Sequence, residues 1–239
     1  MVNTESLWEG KVGFDDLLIS LNPYCQINNL DTSKVESVWS NYKERYPSSY
    51  NGNLVVLDSF ECEEKFECGC ELLTLYTSHI DYSSFITMIE TKAPIQNYGI
   101  LGTQCAIFSP DKKHILVGRR SKKQYYSPGL LTVPGGMVEQ NDLQSPSNLR
   151  FLREIKEEVK ISIKNVKIST LLREHKHYSS ILFLTAELDQ SFDETELFRG
   201  NSEWEGNKLF WLPIEELQKI PDDELMEGLT YLKKKSFPN

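Results

Sequence analysis

One segment constrains the fold more than any other: residues 131–161, LTVPGGMVEQNDLQSPSNLRFLREIKEEVKI. Leu131-Thr132-Val133 has strand character, and Pro134-Gly135-Gly136 stops it. A helix is expected from Ser145, because serine is a good N-cap and Pro146 suits the first helical position. At about 100° per residue, Leu149, Leu152, Ile155 and Val159 form one apolar stripe, with Glu154, Glu157 and Glu158 roughly opposite. Three carboxylates crowded on one face repel one another. Either water screens them, as on a solvated helix with Arg150–Glu154 and Arg153–Glu157 pairs, or a divalent cation neutralises them. Hard oxygen donors at this spacing suit Mg²⁺ or Mn²⁺.

The 239-residue chain divides at Lys92-Ala93-Pro94-Ile95-Gln96-Asn97. Before this seam, residues 1–96 read as a small α+β region. Ser33 and Glu36 form a capping-box pattern ahead of a helix through Val35, Val38, Trp39 and Tyr42. Strands are expected at residues 54–57 and 72–76, and Asp81 can cap a short helix through Phe85 and Met88. This half carries no catalytic pattern of its own, which leaves it substrate recognition or dimerisation. After the seam, residues 97–239 alternate strands (99–108, 115–118, 166–172, 180–188, 209–212) with helices near 214–218 and 224–234. That pattern reads as an α/β sandwich.

Thirty-five acids against 26 bases give a net charge of −9, which disfavours duplex nucleic acid and anionic membranes as partners. Six bases nevertheless fall between Lys112 and Lys123 without an acid among them, a patch suited to a small anion. No apolar run approaches the roughly 20 residues of a membrane span. The opening MVNTESLWEG lacks a basic n-region, so a cytoplasmic location is expected. Five cysteines, an odd number, fit reduced thiols, and Cys68-Gly69-Cys70 is not a zinc-type pair.

Gly136 followed by Arg153-Glu154-Ile155-Lys156-Glu157-Glu158-Val159 resembles the Nudix box, the signature of the Nudix hydrolase superfamily. The usual pattern is G, five residues, E, seven residues, then R-E-U-x-E-E-x-G-U, with U a bulky aliphatic. Arg153, Glu154, Ile155, Glu157, Glu158 and Ile161 match it. The approach strand LTVPGGMVE and the later Trp211-Leu212-Pro213-Ile214-Glu215-Glu216-Leu217 are also similar to the superfamily, so the resemblance covers residues 98–238. Three residues are inserted between Gly136 and Arg153, the mid-box glutamate has only Asp142 or Gln144 near its place, and Lys160 stands where the pattern has glycine. A fainter resemblance, to UDP-sugar-type Nudix proteins, runs through Asn51-Gly52-Asn53-Leu54, Leu75-Tyr76, Tyr82-Ser83-Ser84-Phe85 and Ser202-Glu203-Trp204-Glu205.

The resemblance implies a Nudix α/β/α sandwich with a mixed sheet, working on a nucleoside diphosphate derivative with Mg²⁺. It implies that Glu154, Glu157 and Glu158 hold the metal, that Arg153 orients them, and that the backbone of Gly135 and Gly136 supports the loop. Glu203 and Glu205 are candidates for an outer ligand or base, against a reading as exposed loop acids. Arg119, Arg120 and Arg173 are candidates to clamp phosphates, since arginine suits phosphate geometry, with Lys122 and Lys123 adding charge. Tyr125 and Tyr126 either stack on a base or pack a loop, and His175 and His177 read as a polar strand face. The altered loop and Lys160 also fit a catalytically silent domain that binds a nucleotide or protein. An isoprenoid-diphosphate isomerase-like reading would require a reactive Cys105.

Overall fold

The computed structural model describes residues 4–22, 30–65, 70–93, 98–144, 161–175, 178–189, 203–204 and 207–236. Its axis is β5 (Gly99–Phe108), a strand buried along nearly its whole length. Strands covered on both faces carry near-continuous apolar runs, as GILGTQCAIF largely does. β10 (Ser179–Leu188) lies parallel to β5, and β9 (Ile163–Glu174) lies antiparallel to β10. Three partners share the other edge of β5. β3 (Asn53–Lys65) takes its start, β8 (Gly135–Met137) its middle and β6 (His114–Arg119) its end. β7 (Leu131–Thr132) and β12 (Asn207–Pro213) flank β6, and β11 (Glu203–Trp204) makes a small hairpin with β12. The sheet is mixed, as expected.

The sheet continues into the sequence before residue 97. β4 (Cys70–Asp81) pairs with β3, β2 (Leu17–Leu21) runs parallel to β4, and β1 (Thr4–Gly13) is antiparallel to β9. β1 and β2 end the strand path β1-β9-β10-β5-β3-β4-β2, yet only the 3-10 turn Phe14–Asp16 separates them in the chain. The sheet therefore curls around a core where Val12, Leu17, Leu57 and Leu75 meet Leu101, Cys105, Ile168 and Leu182. Burial of each large aliphatic side chain contributes about 1.5–3 kcal/mol, so the N-terminal strands and the later ones stabilise one another.

Two helices follow, one packed against β3 and β4 and the other packed on that helix. α2 (Tyr82–Thr91) starts as expected at Asp81, whose carboxylate accepts the Ser84 amide at 2.9 Å. α1 (Val35–Arg45) corrects the capping-box expectation. A 3-10 turn, Thr32–Lys34, precedes the helix, so the cap falls two residues earlier, where Asp31 accepts the Ser33 amide at 3.2 Å. Pro134-Gly135-Gly136 also behaves differently from expectation. It interrupts the strand for two residues only, because the glycines allow β8 to form against β5. On one face of the sheet, α3 (Ile214–Leu217) and α4 (Glu227–Ser236) bury Leu217, Leu229 and Leu232 with Ile115, Val117 and Phe183. The helix expected from Ser145 lies outside the described residues.

Candidate active site

A cleft of about 290 Å³ opens where β5, β8 and β10 meet the loop after β6 and the start of α4. That volume is at the small end of the roughly 300–1,000 Å³ typical of small-molecule sites. Gly102 and Gln104 of β5 and Ile181 of β10 line it, and Gly135 and Gly136 form one side. The glycine at 135 is required by packing. A Cβ there would collide with the Thr103 carbonyl oxygen and lie 2.8 Å from Gln104 Cα. The next turn of chain is gripped from both sides, since Val138 donates to the Leu101 carbonyl and accepts from the Val55 amide, each at 2.9 Å. Past the 3-10 turn Gln140–Gln144 the chain enters residues 145–160, and it returns at Ile161, again packed in the core. Leu143 packs against the same core, so described residues on both flanks of the glutamate segment are anchored in it.

Several polar groups line the cleft. Gln104 is buried, accepts the Gly228 amide at 2.9 Å and donates to Glu227 Oε2 at 3.4 Å. Glu227 and Glu174, both buried carboxylates, line the same cavity. Arg120, Tyr126 and Tyr82 also line it. Arg120 Nε donates to the Tyr126 carbonyl at 3.0 Å, and its backbone amide bonds to Leu130, which closes the loop on itself. Tyr82 Oη lies 2.9 Å from Tyr42 Oη. Burial pushes the Tyr82 hydroxyl well above its ordinary range and the Tyr42 hydrogen bond adds to this, while the charge of Arg120 pulls the other way. Burial likewise raises Tyr126, with nearby Tyr82, Tyr125, Tyr42 and Glu174 reinforcing it. These groups stay protonated at any physiological pH.

Of the three arginines read as a clamp, Arg120 reaches the cleft beside Gly135 and Gly136. Arg119 turns to the Gly129 carbonyl (2.9 Å) and to Glu224 (3.6 Å). Arg173 lies 5.2 Å from the centroid of the Tyr98 ring. Strand alternation explains the separation, because Glu174 takes the cleft-facing position next to it on β9. Tyr125 and Tyr126 pack among rings rather than standing open. Tyr126 stacks on Phe85, and Tyr125 meets Tyr42 and Tyr46 edge-on. His175 Nε2 lies 3.4 Å from Glu5 and outside the cleft. Asp142 accepts the Glu139 amide at 2.9 Å and so caps the 3-10 turn. Cys105 is fully buried in the core, and burial raises its thiol far above the ordinary range, which removes it as a nucleophile. Glu227, Glu174 and Gln104 are absent from the sequence-based set. Their only signal is polarity inside apolar segments, which does not identify a shared cavity.

Arg153, Glu154, Glu157, Glu158, Glu205 and His177 lie outside the described residues, as does the side chain of Glu203. Among the described residues, no three acidic, histidine or cysteine side chains are grouped to hold a metal ion. The donor set read from the sequence, three carboxylates, matches the all-oxygen chemistry of Mg²⁺.

The NUDIX domain family model matches residues 101–231, from β5 into α4, more than half of the chain. The chain belongs to the NUDIX domain family. It is accordingly a Nudix-type pyrophosphohydrolase, of a family that generally acts on nucleoside diphosphate derivatives with a divalent metal. Solved structures similar to it include one from a study of MutT from Aliivibrio salmonicida and Vibrio cholerae. That match is 19% identical, covers 57% of this chain and 97% of that one, and has a TM-score of 0.40. The MutT protein of Methanosarcina mazei Go1 is 13% identical, with 59% and 95% covered and a TM-score of 0.43. The NUDIX domain of Shewanella oneidensis NrtR complexed with ADP ribose is 16% identical, with 58% and 86% covered and a TM-score of 0.39. No curated protein matches the sequence. Among the described residues, no helix is long and apolar enough to cross a membrane.

Proposed function

We propose that this Nudix hydrolase cleaves the diphosphate linkage of a nucleoside diphosphate derivative, a nucleotide sugar or related nucleotide, by attack of water on phosphorus. The observation that carries this reading is the meeting of Gly135, Gly136 and Arg120 on one cleft, next to the entry of the glutamate segment. In this reading Glu154, Glu157 and Glu158 hold Mg²⁺, with Mn²⁺ as a substitute, and Arg153 orients them. When bound, the cation neutralises diphosphate oxygens and lowers the pKa of water so that hydroxide is available at neutral pH. Arg120 supplies the cationic contact to phosphate, a charge-assisted bond that a planar guanidinium makes well. A carboxylate, from the glutamate segment or from Glu203 or Glu205, takes the water proton. The water oxygen bonds to phosphorus as the bridging P–O bond breaks, leaving two phosphate monoesters.

The cavity holds one part of such a substrate, and its Gln104–Glu227 pair is placed to read polar groups on it. Residues 1–96 then serve recognition, because Tyr82 of α2 forms part of the cleft wall. Free thiols at Cys62 and Cys105 suit a cytoplasmic setting. The test is product release from UDP-sugars, ADP-ribose, dinucleoside polyphosphates and nucleoside triphosphates, with Mg²⁺ and with chelator. Chelator-sensitive turnover of a nucleotide sugar, abolished in a folded Glu157→Gln/Glu158→Gln double variant, supports the reading. Wild-type turnover by that variant would overturn the assignment of these glutamates.

A further inference from the structure

Tyr82, Tyr126 and Arg120 make one wall of the cleft, and that wall is held from the N-terminal helices. Glu90, near the end of α2, accepts two hydrogen bonds on a single oxygen. Arg45 of α1 donates at 3.1 Å, and the Tyr125 hydroxyl donates at 3.2 Å. The Tyr125 ring packs edge-on against Tyr126, with centroids 5.4 Å apart, and against Tyr42 at 5.3 Å. Tyr126 in turn stacks on Phe85 and accepts Arg120 Nε through its carbonyl. A continuous chain of contacts therefore runs from Arg45 through Glu90, Tyr125 and Tyr126 to Arg120. The loop it restrains needs restraint, since Ser127 and Gly129 both adopt positive φ, at 42° and 79°. Positive φ at a non-glycine residue is held only when its surroundings favour it.

We infer that Glu90 is a positioning residue of the site: by tying Tyr125 to α1 and α2, it holds the loop that presents Arg120. The inference rests on the reading of Arg120 as the phosphate contact. Glu90 itself does not line the cleft. Its effect is on the fraction of molecules with the loop in place, and apparent affinity falls in proportion to that fraction. Loss of a hydrogen bond to a charged group corresponds to roughly a tenfold change in such an equilibrium.

The test measures binding of inorganic pyrophosphate to the full chain in Mg²⁺ by calorimetry. Wild type is compared with Glu90→Ala, Tyr125→Phe, Arg120→Ala and the Glu90→Ala/Arg120→Ala double variant. Glu90 is partly exposed, so its variants are expected to fold, which thermal unfolding verifies. Glu90→Ala and Tyr125→Phe should each weaken binding measurably, by up to about tenfold, the full change in the loop equilibrium. Glu90→Asp should recover part of the loss. In the Arg120→Ala background, removing Glu90 should have no further effect. If Arg120→Ala weakens binding while Glu90→Ala does not, or if the two losses multiply in the double variant, the positioning role is overturned and the phosphate reading stands. If Arg120→Ala leaves binding unchanged, the phosphate reading fails and takes this inference with it.

Discussion

Gly135→Ala tests how closely the start of the glutamate segment must approach the sheet. The added Cβ would meet the Thr103 carbonyl oxygen and Gln104 Cα, both main-chain atoms that cannot rotate aside. Relief requires β8 to move off β5, and three facing pairs lie in that ladder: Gly102↔Met137, Thr103↔Gly136 and Gln104↔Gly135. Overpacking a filled site costs about 1–3 kcal/mol. Hydrogen bonds weakened by the shift add about 1 kcal/mol each. The expected loss is about 3–4 kcal/mol, or a fall in Tm of roughly 10 °C for a chain this long. The shift also moves the entry to the glutamates, and a displacement of about 1 Å can cost on the order of 100-fold in rate. Urea unfolding and Mg²⁺-dependent turnover should be measured beside Gly13→Ala, whose Cβ would meet only Asp16 Oδ2, at an ordinary 3.7 Å. That control should stay within about 1 kcal/mol of wild type. A Gly135→Ala protein equal to wild type in both stability and turnover would refute the argument that close approach sets the site.

Three further outcomes are expected. Burial alone would raise the pKa of Asp81, but hydrogen bonds from Ser83 and Ser84 outweigh it and hold the carboxyl below its ordinary 3.8. Its stabilisation is therefore complete above about pH 4 and is lost as pH falls through the lowered value. Asp81→Ala should cost about 1 kcal/mol at neutral pH, and a denaturation series should show that deficit shrinking below pH 3.8. Glu227→Ala leaves the buried Gln104 amide without its carboxylate partner and should destabilise the fold by about 1–3 kcal/mol, read from urea melts, while Gln104→Leu/Glu227→Leu should lose less than the sum of the single changes. Native alkylation followed by mass spectrometry should modify exposed Cys62 and leave buried Cys105 untouched until denaturant is added.

The strands after residue 97 are legible because their apolar runs are dense and their turns are sharply marked by Pro, Gly and Asp. β1 and β2 are not. Of the ten residues of β1 only Val12 is fully buried, so TESLWEGKVG carries no alternation. What makes it a strand is pairing with β9, more than 150 residues away in sequence. β8 is hidden for a different reason. Proline and paired glycines are local turn signals, but glycine also serves where two backbones must nearly touch, and position 135 is such a place.

The site divides along the same line. The Glu154, Glu157 and Glu158 pattern rests on helical spacing, a local rule that needs no knowledge of neighbours, and it lies outside the described residues. A phosphate clamp is a tertiary object. Arg119 and Arg120 are adjacent in sequence, yet one turns to Gly129 and Glu224 while the other lines the cleft. Arg173 is separated from the cavity by one step of strand alternation, and that step places Glu174 there instead. Charge counting therefore finds a basic stretch but not the buried acids, Glu174 and Glu227, that line the same cleft. Those acids matter to the chemistry. Buried side chains of Glu174 and Glu227 share the cavity lining with Arg120, so acceptors and a cationic donor meet in one cleft. A ligand with an anionic end and hydrogen-donating groups elsewhere suits that lining. A nucleoside diphosphate derivative carries both kinds of group.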